Sequence, residues 1–554
     1  MTLTRRLCSI ALVTLAVAVV FSPLVAALFE SAQGVTARGP RVAAPLARSL
    51  TVSLVAASVA LALGVPFALL VDRARPRVRR VCWGMALLSL IVPPYLVAES
   101  LIVLLGPAGK ISRGVALLAG AGPNASDAVA RARFTVPPLV YSMPAAGIVM
   151  GGCLFAVVAL AVAGVNRRAD RRMFESARLM AGNRGVIEVA ARLFAPPAIG
   201  AALLVFAITL TESVVPQLLR LQTLGEAIYE WIQEGALPAA AAMSLCVLPL
   251  ILLSGVAGVF MLTRVRTAST AGIEGDVPRY ESSSVRGMSD AAALGMTAIA
   301  IALALLVPAA GLGWLLATAN APAVTEASQG VLGSSGFFGS FGSAWAIARD
   351  DAVRTIWLAT LTATLGIAFA VVLIRTLPRG RVGSILGVLS AGLAVPAPIV
   401  GLGLITLWNR EASDAVYGSE AIVLLAWLSR FLPAGVLLTQ VALSRVPMEL
   451  EEAAALSGCG SMRRFFGVIL PTAAPGLLAA WIAVYVLSAT EFAATLLVAP
   501  PGAGLLAPSV VNLIRRGQDS EIAACQVLLL AVVVAPLIVF GAAALVFRTR
   551  NERR

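Results

Sequence analysis

Histidine is absent from this 554-residue chain, lysine occurs once (Lys110), and six cysteines are scattered with no Cys-x-x-Cys pair. Cys8, Cys82, Cys153, Cys246, Cys459 and Cys525 therefore suggest neither a disulfide framework nor a His/Cys metal site, and apolar packing suits most of them. A Gly-x-x-x-x-Gly-Lys-Ser/Thr phosphate loop is also lacking, because Lys110 stands in no such context. No Gly-x-Ser-x-Gly elbow or His-Glu-x-x-His helix occurs either. These gaps exclude a conventional self-contained ATPase and leave no catalytic residue, metal or bound cofactor to expect. Charge is scarce as well: 13% of residues are charged and 59% hydrophobic, with a mean hydropathy of +0.92. A soluble chain of this length needs far more charge to cover its surface, so an all-α integral membrane protein is expected.

The formal charge of +14 lies in short arginine clusters between apolar stretches, not on one basic face. Lipid, and not nucleic acid, is the partner this pattern implies. Runs of about 20 apolar residues predict spans near 7–29, 46–71, 81–105, 137–163, 197–219 and 238–262. Six more are predicted near 289–317, 352–375, 382–407, 420–444, 473–498 and 523–547. The first run, after Arg5 and Arg6, has the look of a signal peptide, but its counterpart at 289–317 cannot be one, which favours a span. With both termini inside, 28 of the 42 basic residues fall in inner segments, and this bias predicts cytoplasmic termini.

The chain echoes itself about the polar stretch 264–288, which predicts a first half over 1–263, a cytoplasmic linker, and a second half over 289–554. Ala47-Arg48-Ser49-Leu50 matches Val353-Arg354-Thr355-Ile356, and Leu63-Gly64-Val65-Pro66-Phe67-Ala68 matches Leu365-Gly366-Ile367-Ala368-Phe369-Ala370. Ile91-Val92-Pro93-Pro94 answers Ala394-Val395-Pro396-Ala397, and Thr211-Glu212-Ser213 answers Thr490-Glu491-Phe492. Six spans per half give both halves one orientation, the parallel repeat of a transporter with a pathway between its halves.

Between the tenth and eleventh predicted spans stands Pro447-Met448-Glu449-Leu450-Glu451-Glu452-Ala453-Ala454-Ala455-Leu456-Ser457-Gly458. It reads as a short helix with acids in its first turn, where the helix dipole favours them, and a glycine stop. Arg463, Arg464, Phe465 and Phe466 lead from it to Val468-Ile469-Leu470-Pro471. Glu452-Ala453-Ala454, Gly458 and the Leu470-Pro471 end resemble the signature of permease subunits of binding-protein-dependent ABC importers, with Val468 in an isoleucine slot. A weaker copy, Glu175-Ser176-Ala177 with Gly182 one place late and Ala195-Pro196 at its end, occupies the matching loop of the first half among six nearby arginines. Ala493-Ala494-Thr495-Leu496-Leu497-Val498-Ala499-Pro500-Pro501-Gly502 is similar to fused permeases of the iron(III) and thiamine branch. The resemblance implies a type I permease in a bacterial inner membrane, whose loops dock two copies of a cytoplasmic ATPase that uses ATP and Mg. It also implies an external solute-binding protein and a cargo of iron(III), with thiamine, phosphonate and polyamine as other cargoes.

Charged residues at bilayer depth are costly and mark candidate sites. Glu99, Glu212 and Glu491 are candidates for the pathway or gate, or else for hydrogen bonds between spans; Arg430 lies in the tenth span and reads as structural or gating. Pro93 with Pro94, and Pro396 with Pro398, interrupt the third and ninth spans and suit either moving gates or packing. A twelve-span secondary transporter is the alternative reading. It predicts midplane carboxylates and gives the ordered loops no purpose.

Overall fold

The structure, a computed structural model, describes residues 3–32, 43–106, 111–112, 137–167, 169, 171–269, 283–302, 306–319, 337–516 and 519–552. Lys110 and most of the predicted linker, residues 270–282, lie outside them. The main helices are α1 (Leu3–Ala32), α2 (Ala43–Val71), α3 (Pro76–Ser89), α4 (Pro94–Leu105), α5 (Met143–Asn166), α6 (Arg171–Leu210), α7 (Val214–Leu218), α8 (Leu224–Gln233), α9 (Leu237–Ser269) and α10 (Ser283–Ile301). They continue with α11 (Val307–Ala319), α12 (Phe337–Thr376), α13 (Arg379–Ala391), α14 (Ala397–Trp408), α15 (Ala421–Leu443), α16 (Met448–Leu456), α17 (Leu470–Ala489), α18 (Ala493–Val498), α19 (Leu506–Arg516) and α20 (Asp519–Glu552). No strand occurs among the described residues. A chain facing lipid must satisfy its backbone internally, and helices do so without a neighbour.

Among the described residues eight helices are long and apolar enough to cross a membrane, or nine if α3 and α4 count as one bent span. That is fewer than the twelve predicted. The spans expected near 289–317, 382–407 and 523–547 correspond to shorter apolar helices, Asp290–Ala300, Val382–Ala391 with Ala397–Trp408, and Ala524–Phe540. The reason at 382–407 is proline. Pro396 adopts φ −59° and ψ 141°, after a 3₁₀ turn at Gly392–Ala394. Pro93 adopts φ −60° and ψ 132°, and α3 and α4 meet at 86°. Each proline lacks an N–H and forces extended backbone, so an apolar run that reads as continuous is two half-helices. The fifth predicted span shifts too, since α6 begins inside the preceding loop and ends at Leu210 rather than at 219.

The chain forms two compact units: Met1–Arg38 with Trp231–Leu248 and Phe338–Arg554, and Gly39–Glu230 with Pro249–Phe337. They are not the sequence halves 1–263 and 289–554. In the first unit α1, from the opposite half of the sequence, packs on α13, α14 and α15. Ala16 and Val20 of α1 join Ala370, Leu373, Leu389, Leu432 and Val436 in one buried cluster. Ser429 donates to the Val20 carbonyl at 3.4 Å, and a Cβ at Gly403 would overlap the carbonyl of Pro23. Trp427, fully buried, donates its indole N–H to Thr495 at 2.9 Å.

In the second unit α10 packs on α2 and α3, and α11 on α4. Asp290 of α10 pairs with Arg75 at 3.2 Å, and Gly311 of α11 lies against Ser100 of α4. The contact of α11 with α4 thus parallels that of α1 with α14. In each unit the half-helix after the proline break is covered by a leading helix from the other half of the sequence. Elsewhere in this unit Gly147 and Gly151 bring α5 close to Val55 and Ala56 of α2, as small residues four apart do in membrane interfaces. Phe67 packs edge-on against Trp83 and Phe155, at 5.4 Å from each.

Replacing Gly403 by valine should overpack the contact of α1 with α14 and cost about 1–3 kcal/mol. The expected readout is a lower unfolding midpoint of the detergent-solubilised chain, with Gly366→Ala unchanged because only Leu428, at 3.9 Å, stands near that site.

Candidate functional site

The acid-rich segment folds as predicted from its composition. Pro447 supplies the extended residue before α16, Glu449 and Glu451 stand in the first turn, and Gly458 turns the chain at φ 76°. The Gly458 N–H donates to the Ala455 carbonyl at 3.1 Å and the Cys459 N–H to the Ala454 carbonyl at 3.2 Å. This pair of bonds is a Schellman cap, and the left-handed residue it needs is glycine for lack of a Cβ. None of the nine residues of α16 is buried, and Leu456 is 89% exposed. Glu452, Ala453 and Ala454 are part of this open helix, although Ala454 is only half-exposed.

An ion pair ties this open helix to α12. Arg375, in the last turn of α12, donates to Glu451 at 2.7 and 3.3 Å. Glu451, not the neighbouring Glu452 singled out in the sequence, carries the attachment. Downstream, a π-helical turn at Phe465–Ile469 delivers the chain to Leu470 and Pro471 at the start of α17. Ile469 there is buried, so the segment is anchored at both ends and bare in the middle.

The first-half loop has another shape. Glu175 and Ala177 lie in the opening segment of α6, which is interrupted at Ala181 (φ −139°, ψ 16°) and Gly182 (φ 59°, ψ −146°). Beyond this kink the helix runs on through Pro196 and Pro197 to Leu210. Phe174 before the kink stacks on Phe194 after it at 6.3 Å, so the opening segment folds back on the span. Leu179 and Met180, just before the kink, are 89% and 88% exposed. Leu179 stands four residues after Glu175, as Leu456 stands four after Glu452.

Glu212 and Glu491 sit at equivalent breaks. Glu212, between α6 and α7, accepts from the Val214 N–H at 2.9 Å; Glu491, between α17 and α18, accepts from the Ala494 N–H at 2.9 Å. Each carboxylate satisfies a backbone donor that the broken helix leaves open. The other oxygen of Glu491 pairs with Arg430 of α15 at 3.1 Å. Glu491 and Arg430, treated separately in the sequence, are therefore one pair. Glu99 is buried as the sixth residue of α4, a different element from either, and beside Ser100. Pro93 and Pro396 stand at the two span breaks already described.

Two further residues in each unit escaped the sequence reading. Arg48 donates to the Gln222 carbonyl at 3.3 Å and Ser49 accepts from the Leu224 N–H at 2.9 Å. In the other unit Arg354 donates to the Gly502 carbonyl at 2.9 Å and Thr355 accepts from the Leu506 N–H at 2.9 Å. Both sets pin the loop that follows a glutamate-capped break and start the next helix. The signal was present, because Arg48-Ser49 and Arg354-Thr355 stood out as a repeat. Spacing alone, however, does not tell an arginine that holds a loop from one at a membrane surface. Among the described residues no cluster of three metal-ligating side chains occurs.

Two outcomes follow from these pairs. Arg375→Ala and Glu451→Gln should each speed amide hydrogen exchange across 448–456 by about tenfold, consistent with losing one partly buried charge-assisted pair, while Glu452→Gln leaves it unchanged. Glu491→Leu alone strands Arg430 and should cost about 3 kcal/mol, whereas Arg430→Met with Glu491→Leu recovers much of that loss; thermal unfolding of the two variants measures the difference.

Comparison with known proteins places this geometry. Residues 363–554, which contain α16 and both of its anchors, match the family described as binding-protein-dependent transport system inner membrane component. The putrescine transport system permease protein PotI of Escherichia coli K12 is 30% identical over 200 residues, 33% of this chain and 70% of PotI. The molybdenum transport system permease protein ModB of the same strain is 27% identical over 182 residues, 31% of this chain and 79% of ModB. The diacetylchitobiose uptake system permease protein DasC of Streptomyces coelicolor is 29% identical over 134 residues, 24% of this chain and 47% of DasC. The chain belongs to the family of binding-protein-dependent transport system inner membrane components, the permeases of ABC importers.

Proposed function

We propose that this single chain supplies both permease halves of an ABC importer, with twelve spans in two parallel sets of six and both termini in the cytoplasm of a bacterial inner membrane. Two copies of a cytoplasmic ATPase dock on 171–182 and 448–458, and an external binding protein delivers the solute. The observation that carries the reading is α16, a helix with no buried residue, stopped by Gly458 and pinned to α12 through Arg375 and Glu451. A bare helix on a rigid mount transmits force to the spans only if something grips it. The matched anchors at Arg48-Ser49 and Arg354-Thr355, and the matched caps at Glu212 and Glu491, support two equivalent halves. In this reading Glu212 and Glu491 shape the breaks at the ends of spans, and Pro93 and Pro396 allow the half-helices to swing. ATP binding closes the ATPases on the two loops and swings the halves outward; hydrolysis resets them.

For the cargo, the Ala493–Gly502 stretch supports iron(III), and the identity to a putrescine permease supports a polyamine. Uptake of radiolabelled iron(III) and of putrescine by proteoliposomes carrying the whole system distinguishes them. The function itself is tested by ATP hydrolysis of the purified chain, its ATPase and its binding protein. Gly458→Val places a β-branched residue at a left-handed position, and Glu452→Lys reverses a charge on the exposed helix. Each should lower binding-protein-stimulated hydrolysis at least about tenfold, the effect of about 1.4 kcal/mol lost at docking. Uptake along an ion gradient with no co-purifying ATPase would overturn the reading.

A further inference from the structure

The two docking elements present the same apolar feature in opposite electrostatic settings. Leu179 and Leu456 are each 89% exposed and occupy the same place relative to Glu175 and Glu452. Close to Leu179 in sequence stand the exposed Arg178 and Arg184, and neither enters a hydrogen bond or ion pair among the described residues. Before Leu456 stand the exposed Glu449 and Glu452, equally unengaged among the described residues, and α16 contains no basic residue. Each segment exposes more than its leucine: Met180 and Ile187 are bare in the first, and Met448 and Leu450 are about half-exposed in α16.

Apolar burial supplies most of the affinity at a protein surface, and charge sets which surface is accepted. A rim that complements Glu449 and Glu452 is basic, and such a rim repels Arg178 and Arg184. We propose that the two elements engage different ATPase surfaces: an apolar pit rimmed by Asp and Glu receives residues 171–187, and one rimmed by Lys and Arg receives 448–456. The inference rests on the docking role given to both loops above. It makes the two halves inequivalent toward their energy source, so that the first site depends on arginine and the second on glutamate.

The test places a photo-cross-linking phenylalanine analogue at position 179 or 456 of the full chain, in zwitterionic nanodiscs with its ATPase, and maps the captured peptides. Capture of different ATPase peptides, acidic at 179 and basic at 456, is expected. Arg178→Glu with Arg184→Glu should then reduce capture at 179 about tenfold and leave 456 unchanged; Glu449→Lys with Glu452→Lys should do the reverse. Capture of one and the same peptide at both positions overturns the inference, as does a yield at 179 indifferent to the arginine reversal. Capture of lipid at 179 with ATPase at 456 also overturns it, since the arginines then face headgroups, while the importer reading stands. Absence of ATPase at both positions sinks the importer reading itself.

Discussion

A backbone that crosses hydrocarbon must satisfy every N–H and C=O internally, and this chain breaks its helices at several points where it should not be free to. Most of the structure follows from how those breaks are closed. At Pro93 and Pro396 the missing N–H removes one donor, and a covering helix shields the half-helix beyond: α11 over α4 and α1 over α14. At the ends of α6 and α17 a glutamate caps the short helix that follows. An arginine with a serine or threonine then fixes the loop beyond it.

The same economy explains the open helix α16. Outside the bilayer the backbone has water as a partner, so α16 needs no burial to exist, only a stop and an anchor. Gly458 provides the stop through its Schellman cap, and Arg375 with Glu451 provides the anchor. The apolar side chains left bare on such a helix are a cost in the isolated chain. In the proposed importer a partner covers them, and the mount carries that partner's movement to α12 and α17. In the other half the kink at Ala181–Gly182 and the stacking of Phe174 on Phe194 make a second mount by different means. The two mounts need not be mechanically equal.

Much of this was legible in the residues. Hydropathy marks nearly every long helix, since twenty apolar residues in a row have few other fates. Pro93 and Pro396 mark the breaks because proline acts locally. Glu449, Glu451 and Gly458 mark the ends of α16 because caps are local as well. Reading failed where the answer lay at a distance. Glu451 and Glu452 are adjacent acids of one helix, and only the position of Arg375, 76 residues away in sequence, separates the anchor from the exposed charge. Glu491 reads in sequence either as a pathway charge or as a bond between spans, and only the fold sets Arg430 at 3.1 Å from it.

Sequence by itself determined the class of the protein: helical, membrane-embedded and carrying a permease signature. Those properties depend on composition and on intervals of a few residues, which survive in one dimension. Tertiary structure alone decided which helices share a core, because apolar surfaces are interchangeable as partners and α1 pairs with α14 as readily in sequence terms as with α4. It also decided which of several like charges is paired, capped or left bare. A carboxylate's role is set by the donor within about 3 Å of it, and that neighbour is chosen by the fold.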